Sequence, residues 1–339
     1  MTLRAPGFWW QRELATRSKF LMPIGMIYGF VTARRMHRKP EAAAAVPVLC
    51  IGNLVVGGAG KTPTTISIAK LLQSKGYKCG FLLRGYGGSN TQPKLVLPEH
   101  SAKEVGDEAL LYAAIGPTVV SADRPSGATL LCEGKIDVIL MDDGFQNPSL
   151  RKDGSLLVVD SKVGWGNGLC FPAGPLRASL NAQLPLAKAV IALGQGVYSE
   201  SLELLEMQHT FELLHGKVVV QKPLAEHSPG AYLAYSGIGR PQKFFDSLKG
   251  AGYQVQEQMS FPDHHFFSEA DADRILDFAS SSGAIPITTE KDHVRLAYSE
   301  PNSSREKLFE TSQVLKIAVE FEDSQRLIEL LDETISTVK

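Results

Sequence analysis

The run Gly57-Gly58-Ala59-Gly60-Lys61-Thr62-Pro63 comes directly after the apolar stretch Val46 to Val56. Glycines carry no Cβ, so backbone amides can converge there, and amides at a helix N-terminus attract phosphate. Lys61 would neutralise the β and γ phosphates of a nucleotide triphosphate, and Thr62 would offer its hydroxyl to Mg²⁺. The strict phosphate-loop spacing asks for a glycine five residues before Gly60, where this chain has Val55. The reading therefore rests on a coincidence of strand, glycine turn, Gly60-Lys61-Thr62 and the amphipathic helix after it (Ile66, Ile68, Ala69, Leu71, Leu72). The bland alternative is a glycine turn that only caps a helix.

Carboxylates occur where such a site needs them. Ile136 to Met141 is an apolar strand ending in Asp142-Asp143-Gly144-Phe145-Gln146, and a carboxylate at that position can hold Mg²⁺ opposite Thr62. Gly106-Asp107-Glu108 opens a helix; its acidic residues suit a helix start, and one of them could also serve as the base that phosphoryl transfer to an alcohol requires. Phe261-Pro262-Asp263-His264-His265-Phe266 offers a histidine that could orient or activate that base, the alternative being two solvated loop histidines.

These groups need a scaffold. Tyr77 to Leu83, Pro117 to Ser121, Ile136 to Met141 and Ser155 to Asp160 read as short buried strands, with helices at Val105 to Ile115 and Arg124 to Gly134 between them. That alternation predicts an α/β fold with a doubly wound, mostly parallel sheet of the P-loop NTPase kind, its ligand site at the carboxyl ends of the strands. The pattern restarts with strands at Tyr232 to Ser236, Tyr253 to Ser260, Ala284 to Thr288 and Val314 to Glu320. Helices fill Pro241 to Gly250, Glu269 to Ser280 and Ser324 to Ser336, so a second, smaller α/β lobe is expected. The joint falls between Gly216 and Gly230, where Lys222-Pro223 and Ser228-Pro229-Gly230 break the pattern. The expected division is a helical segment over 1–40, a core domain over 41–220 and a C-terminal lobe over 221–339, whose last helix could pack back on the core.

A chain of 339 residues exceeds one ordinary core, in keeping with two lobes. The net charge of −1 gives no bias toward nucleic acid, and none is expected as a partner. Cys50, Cys79, Cys132 and Cys170 are too scattered for a zinc knuckle and suit a reducing compartment. Near the N-terminus, Phe20 to Ala33 carries no charge; as a helix it would be about 21 Å long, short of the roughly 30 Å hydrocarbon core. Arg12, Arg17 and Lys19 precede it, Arg34, Arg35, Arg38 and Lys39 follow it, and Trp9, Trp10 and Tyr28 favour the headgroup boundary. This predicts a helix lying on an anionic membrane surface, against the alternatives of a signal peptide and a plain buried helix.

Together, Gly52-Asn53-Leu54 with the glycine loop, Arg84-Gly85-Tyr86-Gly87, Gly106-Asp107-Glu108, Asp142-Asp143-Gly144-Phe145-Gln146, Pro172-Ala173-Gly174-Pro175-Leu176-Arg177, Gly239-Arg240-Pro241, Asp263-His264-His265 and Thr289-Glu290-Lys291-Asp292 resemble the tetraacyldisaccharide 4'-kinase family of the lipid A pathway. The resemblance implies a kinase that moves the ATP γ-phosphate to the 4'-hydroxyl of a tetraacylated disaccharide 1-phosphate, giving lipid IVA. It further implies a monomer peripheral to the cytoplasmic face of the bacterial inner membrane. By this resemblance Asp107 and His264 are catalytic with Lys61. Thr62, Asp142, Asp143 and Gln146 line the magnesium region, and Asn53, Arg84 and Arg177 bind substrate. Asn147 stands where members often have histidine, and Ala178 where an acidic residue commonly follows. A membrane-associated partitioning-type ATPase is the alternative, but its signature lysine before the paired glycines is Val56 here. A GTP switch needs a guanine reader whose spacing Glu290-Lys291-Asp292 does not have.

Overall fold

The computed structural model describes residues 5–11, 13–85, 92–221 and 230–337. Arg12, Tyr86-Gly87 and the Lys222 to Pro229 part of the expected joint lie outside the described residues.

A 3-10 turn (Gly7–Trp10) and a long helix, α1 (Thr16–Met36), precede a nine-stranded sheet. Its strands are β1 (Val48–Gly52), β2 (Cys79–Leu83), β3 (Lys94–Leu95), β4 (Thr118–Val120), β5 (Val138–Asp142), β6 (Gly154–Asp160), β7 (Ala189–Leu193), β8 (Glu212–Val220) and β13 (Ile317–Phe321). They lie in the order β13-β8-β7-β6-β1-β5-β2-β4-β3. Pairing is parallel except at the two edges, β13 on β8 and β3 on β4. A second, four-stranded parallel sheet holds β9 (Tyr232–Ser236), β10 (Val255–Ser260), β11 (Ile285–Thr289) and β12 (Gln313–Leu315), in the order β10-β9-β11-β12.

The helices of the first sheet are α2 (Lys61–Ser74), α3 (Ala102–Val105), α4 (Asp107–Ala113), α5 (Arg124–Cys132), α6 (Leu180–Gln183) and α7 (Ser199–Gln208). Those that follow are α8 (Pro241–Gly250), α9 (Glu269–Ser282), α10 (Glu290–Leu296), α11 (Ser304–Thr311) and α12 (Ser324–Ser336). The central strands read as unbroken apolar runs because both of their faces are covered. Leu49 and Ile51 of β1 pack with Ile68 and Leu72 of α2 and with Leu327, Leu331 and Ile335 of α12. Val48 and Cys50 point the other way, toward Ala128 and Leu131 of α5 and Leu202 of α7.

Val314 to Glu320, expected as one strand, is two. The chain leaves the small sheet after Leu315, and Ile317–Phe321 crosses to the large sheet, where Val319 pairs with Val218. Lys316 sits at the change of sheet, and α12 then covers β1.

One detail of the order positions the site. β5 inserts between β1 and β2, with Ile51 in register with Asp142. The glycine turn after β1 and the paired aspartates after β5 therefore emerge side by side at the carboxyl end of the sheet, where a topological switch leaves a crevice.

Candidate active site

Asn53, fully buried, donates its amide to the Gly57 carbonyl at 3.0 Å and fixes the start of the glycine turn. Gly57 and Gly60 have φ of 119° and 92°, which a side chain would strain. A Cβ built on Gly57 or Gly58 would meet nothing within 4 Å, so the loop presents bare backbone to an open side. From behind, the Val56 amide donates to the Pro175 carbonyl at 2.8 Å and the Arg177 amide to the Leu54 carbonyl at 3.0 Å. Pro172 to Arg177 thus braces the loop. Lys61 and Thr62 begin α2, whose first-turn amides face the same opening.

Lys61 Nζ lies 3.5 Å from Asp143 Oδ1, and the Arg177 guanidinium lies 3.0 Å from that same oxygen. Burial alone would raise the Asp143 carboxyl, but Lys61 and Arg177 overcome it and hold the group at about 2. Asp142 differs. Its Oδ2 accepts from the Tyr112 hydroxyl at 2.7 Å, while its Oδ1 is buried with no hydrogen-bond partner. Burial and the charge on Glu108 push this carboxyl up, and Lys61 only partly offsets them. An orphaned, buried carboxylate oxygen beside the Thr62 end of the loop has the hard-oxygen chemistry that Mg²⁺ selects, so these residues fit that ion.

Gln146 uses its amide elsewhere: Nε2 donates to the Asn53 carbonyl and to Gln183, and Oε1 accepts from Arg177 at 3.1 Å. Arg84, at the end of β2, is exposed. Asn147 accepts from the Ser149 amide at 2.8 Å. Ala178 is fully buried among apolar neighbours including Leu54, Leu176 and Leu184, so the carboxylates around the loop come from Asp107, Glu108, Asp142 and Asp143.

Asp107 opens α4 and is buried. Its Oδ2 accepts from both Nε and Nη2 of Arg295, a residue of α10, and lies 3.4 Å from His264 Nδ1. Arg295 is in turn fixed by Asp292 Oδ1 at 2.7 Å and by the Gly237 carbonyl at 2.8 Å. Asp292, wholly buried, also accepts from Ser236 and Thr289. Burial acts to raise the Asp107 carboxyl, yet the hydrogen bond from His264 and the charges of Arg295 and Lys291 win and hold it far below the usual carboxylate range. The hydrogen bond to Asp107 is the main cause that raises His264. His264 and Asp143 both adopt positive φ, 56° and 52°, in the left-handed region that Asp and His tolerate better than most residues. Such strain gathers at functional sites. His265 is spent on structure: it bonds Asp271 at 3.0 Å, beside the start of α9, and stacks on Phe261.

The structure thus brings Lys61, Thr62, Asp107, Asp142, Asp143 and His264 around one crevice, with Arg177 and Gln146 beneath it. It adds Tyr112 and Arg295, and it gives partners to Glu108, a carboxylate of the Gly106-Asp107-Glu108 motif, and to Lys291, a member of the Thr289-Glu290-Lys291-Asp292 motif. Glu108 Oε1 accepts from Thr62 Oγ1 at 3.2 Å and from Lys291 Nζ at 2.5 Å. Lys291 lies in the Thr289-Glu290-Lys291-Asp292 motif, and the advance signal for Arg295 is its i, i+4 spacing from Lys291 on one helix face.

One prediction follows from the His264–Asp107 pair. A folded-state value raised above the unfolded 6.5 means that protonated His264 stabilises the fold below about pH 6.5 and loses that contribution as pH rises through the folded value. The melting-temperature gap between the protein and His264→Asn should therefore narrow as pH rises from 6 to 9. A gap of constant size over that range would remove the charge from this account.

A mostly parallel α/β sheet with a lysine-bearing glycine loop on one strand, paired aspartates on the next and the buried Asp107 near them is the arrangement of a kinase of the P-loop class. The model of the tetraacyldisaccharide-1-P 4'-kinase family matches residues 17–336, and the chain belongs to that family. A tetraacyldisaccharide 4'-kinase of Methylobacterium nodulans is 46% identical over 301 residues, covering 88% of this chain and 89% of that protein. One from Parvibaculum lavamentivorans is 41% identical over 342 residues, covering 99% of each. The crystal structure of LpxK from Aquifex aeolicus in complex with ATP superposes with a TM-score of 0.74 at 27% identity, covering 94% of this chain and 99% of that one.

Proposed function

We propose that this protein transfers the γ-phosphate of ATP to the 4'-hydroxyl of tetraacyldisaccharide 1-phosphate, forming lipid IVA for lipid A, at the cytoplasmic face of the bacterial inner membrane. The observation that carries the reading is the Asp107–His264 pair, linked to the loop through Glu108, which bonds Thr62 beside Lys61, within a chain of this kinase family. A partitioning-type ATPase has no use for such a base.

In this mechanism the loop amides and Lys61 grip the triphosphate, while Asp107 takes the hydroxyl proton and His264 holds that carboxylate in place. Asp107 is a weak base as found, which suits phosphoryl transfer. The transition state is loose, so the acceptor proton becomes strongly acidic only as the new P–O bond forms, and a weak base then suffices. Mg²⁺, when bound, offsets charge on the β and γ phosphates, and Thr62 Oγ1, Asp142 and Asp143 are the groups that would hold it. Asn53, Gln146 and Arg177 act in this account by shaping the loop and its aspartates, and Arg84 and Arg177 add positive charge for the substrate. The decisive experiment is transfer of labelled γ-phosphate to the disaccharide 1-phosphate in detergent micelles. ATP turnover with no phosphorylated lipid would overturn the reading.

A lipid acceptor also gives α1 its purpose. Only a narrow seam of this helix is buried, Ser18, Gly25, Gly29 and Met36, and a Cβ on Gly25 or Gly29 would strike Cys170 at 2.7 or 2.6 Å. The face turned outward carries Phe20, Ile24, Met26, Ile27, Phe30 and Val31, all exposed. No helix among the described residues is long and apolar enough to cross a membrane. We read α1 as lying in the headgroup region, with Arg17, Lys19, Arg34, Arg35, Arg38 and Lys39 on anionic lipid. Trp9 is corrected: it is buried, and its indole donates to the Pro172 carbonyl at 3.0 Å. Trp10 lies under the Arg240 guanidinium. Each large apolar side chain withdrawn from the interface forfeits roughly 1.5–3 kcal/mol. Ile27→Glu with Phe30→Glu should therefore lower binding to anionic vesicles by at least about a hundredfold, measured by co-sedimentation. Unchanged binding would move the membrane contact elsewhere.

A further inference from the structure

Thr289-Glu290-Lys291-Asp292 stands out in the sequence, yet the mechanism above uses none of it. Asp292 has a structural task in fixing Arg295. Lys291 has a different environment. Its ammonium bonds Glu108 Oε1 at 2.5 Å, and that same oxygen accepts from the hydroxyl of Thr62, the loop residue that would hold Mg²⁺ in the mechanism above. One carboxylate oxygen therefore separates a cation of the small-sheet lobe from the phosphate loop.

The lobes do not need this pair to stay together. Arg295 already ties α10 to Asp107, and Arg240 and Lys243 of the same lobe tie it to Asp160 at the end of β6. None of those ion pairs includes Lys61 or Thr62. Burial acts to discharge Lys291, but Glu108 and Asp107 keep it protonated. Lysine also suits a moving contact, being a point charge on a flexible four-carbon stem, whereas arginine suits a fixed fork.

We propose that Lys291 is a further catalytic residue, a cation carried by the second lobe to the phosphoryl group in transit, and that Glu108 holds it ready until nucleotide arrives. Once ATP fills the loop, Lys291 exchanges Glu108 for oxygens of the γ-phosphate, and the Thr62 hydroxyl, released from Glu108, would be free to hold Mg²⁺ where it is bound. The bond from the γ-phosphorus to the ADP oxygen breaks and a bond to the acceptor oxygen forms. The hydroxyl proton goes to Asp107, and Lys291 gives and takes nothing but electrostatic stabilisation. It would also make transfer depend on closure of the lobe, limiting loss of the γ-phosphate to water.

This rests on the kinase reading, so the measurement has two levels. Wild-type transfer of labelled phosphate to the disaccharide 1-phosphate tests that reading by itself. With it established, Lys291→Met should lower kcat about 10- to 100-fold, with ATP affinity, read by a fluorescent nucleotide analogue, within about threefold of wild type. Lys291→Arg should recover a measurable part of the loss. Glu108→Gln, which removes the holding carboxylate and keeps the ammonium, should cost less kcat than Lys291→Met. Two outcomes would overturn the proposal: Lys291→Met with a lowered melting temperature and kcat within threefold of wild type, or equal kcat losses for Lys291→Met, Glu108→Gln and the double variant, which mark a strut. If Lys291→Met does not fold, Lys291→Ala with added ethylammonium decides, since only a phosphoryl-facing cation is rescued in kcat.

Discussion

Asp107→Asn should abolish all but a trace of lipid phosphorylation, with kcat down by roughly three orders of magnitude, the middle of the range expected for loss of a positioned base. Asparagine keeps the shape and can still accept from Arg295, so the pocket stays assembled while the proton loses its destination. Stability should fall as well. Asp107 and Arg295 are both buried, and breaking a buried pair outright costs about 3–5 kcal/mol; the loss here should be smaller, because Arg295 keeps Asp292 and the Gly237 carbonyl. The pH dependence carries a definite sign. A carboxyl depressed below its unfolded 3.8 contributes stability that is fully present above that value and is lost as pH falls through the folded one. The part of the stability gap set by the Asp107 titration itself should thus close only in strong acid, while the part shared with protonated His264 should shrink as pH rises from 6 to 9. Single-turnover transfer at pH 7.5, beside thermal melts from pH 3 to 8, separates the two effects. A variant that transfers phosphate within a few-fold of wild type would take Asp107 out of the chemistry.

How far this site could be read from the chain depends on how far apart its parts lie. The phosphate loop is local: strand, turn and helix follow one another, so periodicity and glycine placement reveal it. The paired aspartates are nearly as plain, because a continuous apolar run must end in the solvent-facing crevice. Tyr232–Ser236, Pro241–Gly250 and Ser324–Ser336 have the limits the pattern suggests. Ala189–Leu193 and Glu212–Val220 went unread as strands, the latter because its Gly216 and Lys217 look like the start of a joint. The bonds of Arg295 and Lys291 join residues 188 and 183 positions apart, and no local rule reports on such a pairing. Nor does any local rule show that the chain's last strand returns to the first sheet, since each piece of Val314 to Glu320 is an acceptable strand alone.

Lys61→Ala tests the other half of the site. The substitution should leave α2 intact, since alanine is a good helix former at the position where the helix begins. Its effect lies in charge. Without the ammonium, the triphosphate meets Asp143, Asp142 and Glu108 with only Arg177 and Lys291 to offset them, so ATP affinity should drop roughly 10- to 100-fold and transfer at saturating ATP by about another 10³-fold. Lys61 is the first of the charges that hold Asp143 near 2, so that carboxyl should move up in the variant, visible as a shifted titration of its side-chain signal by NMR. Binding, rate and titration each have a separate readout. If all three matched the wild type, Lys61 would not face the phosphates, and the crevice at the ends of β1 and β5 would not be where ATP reacts.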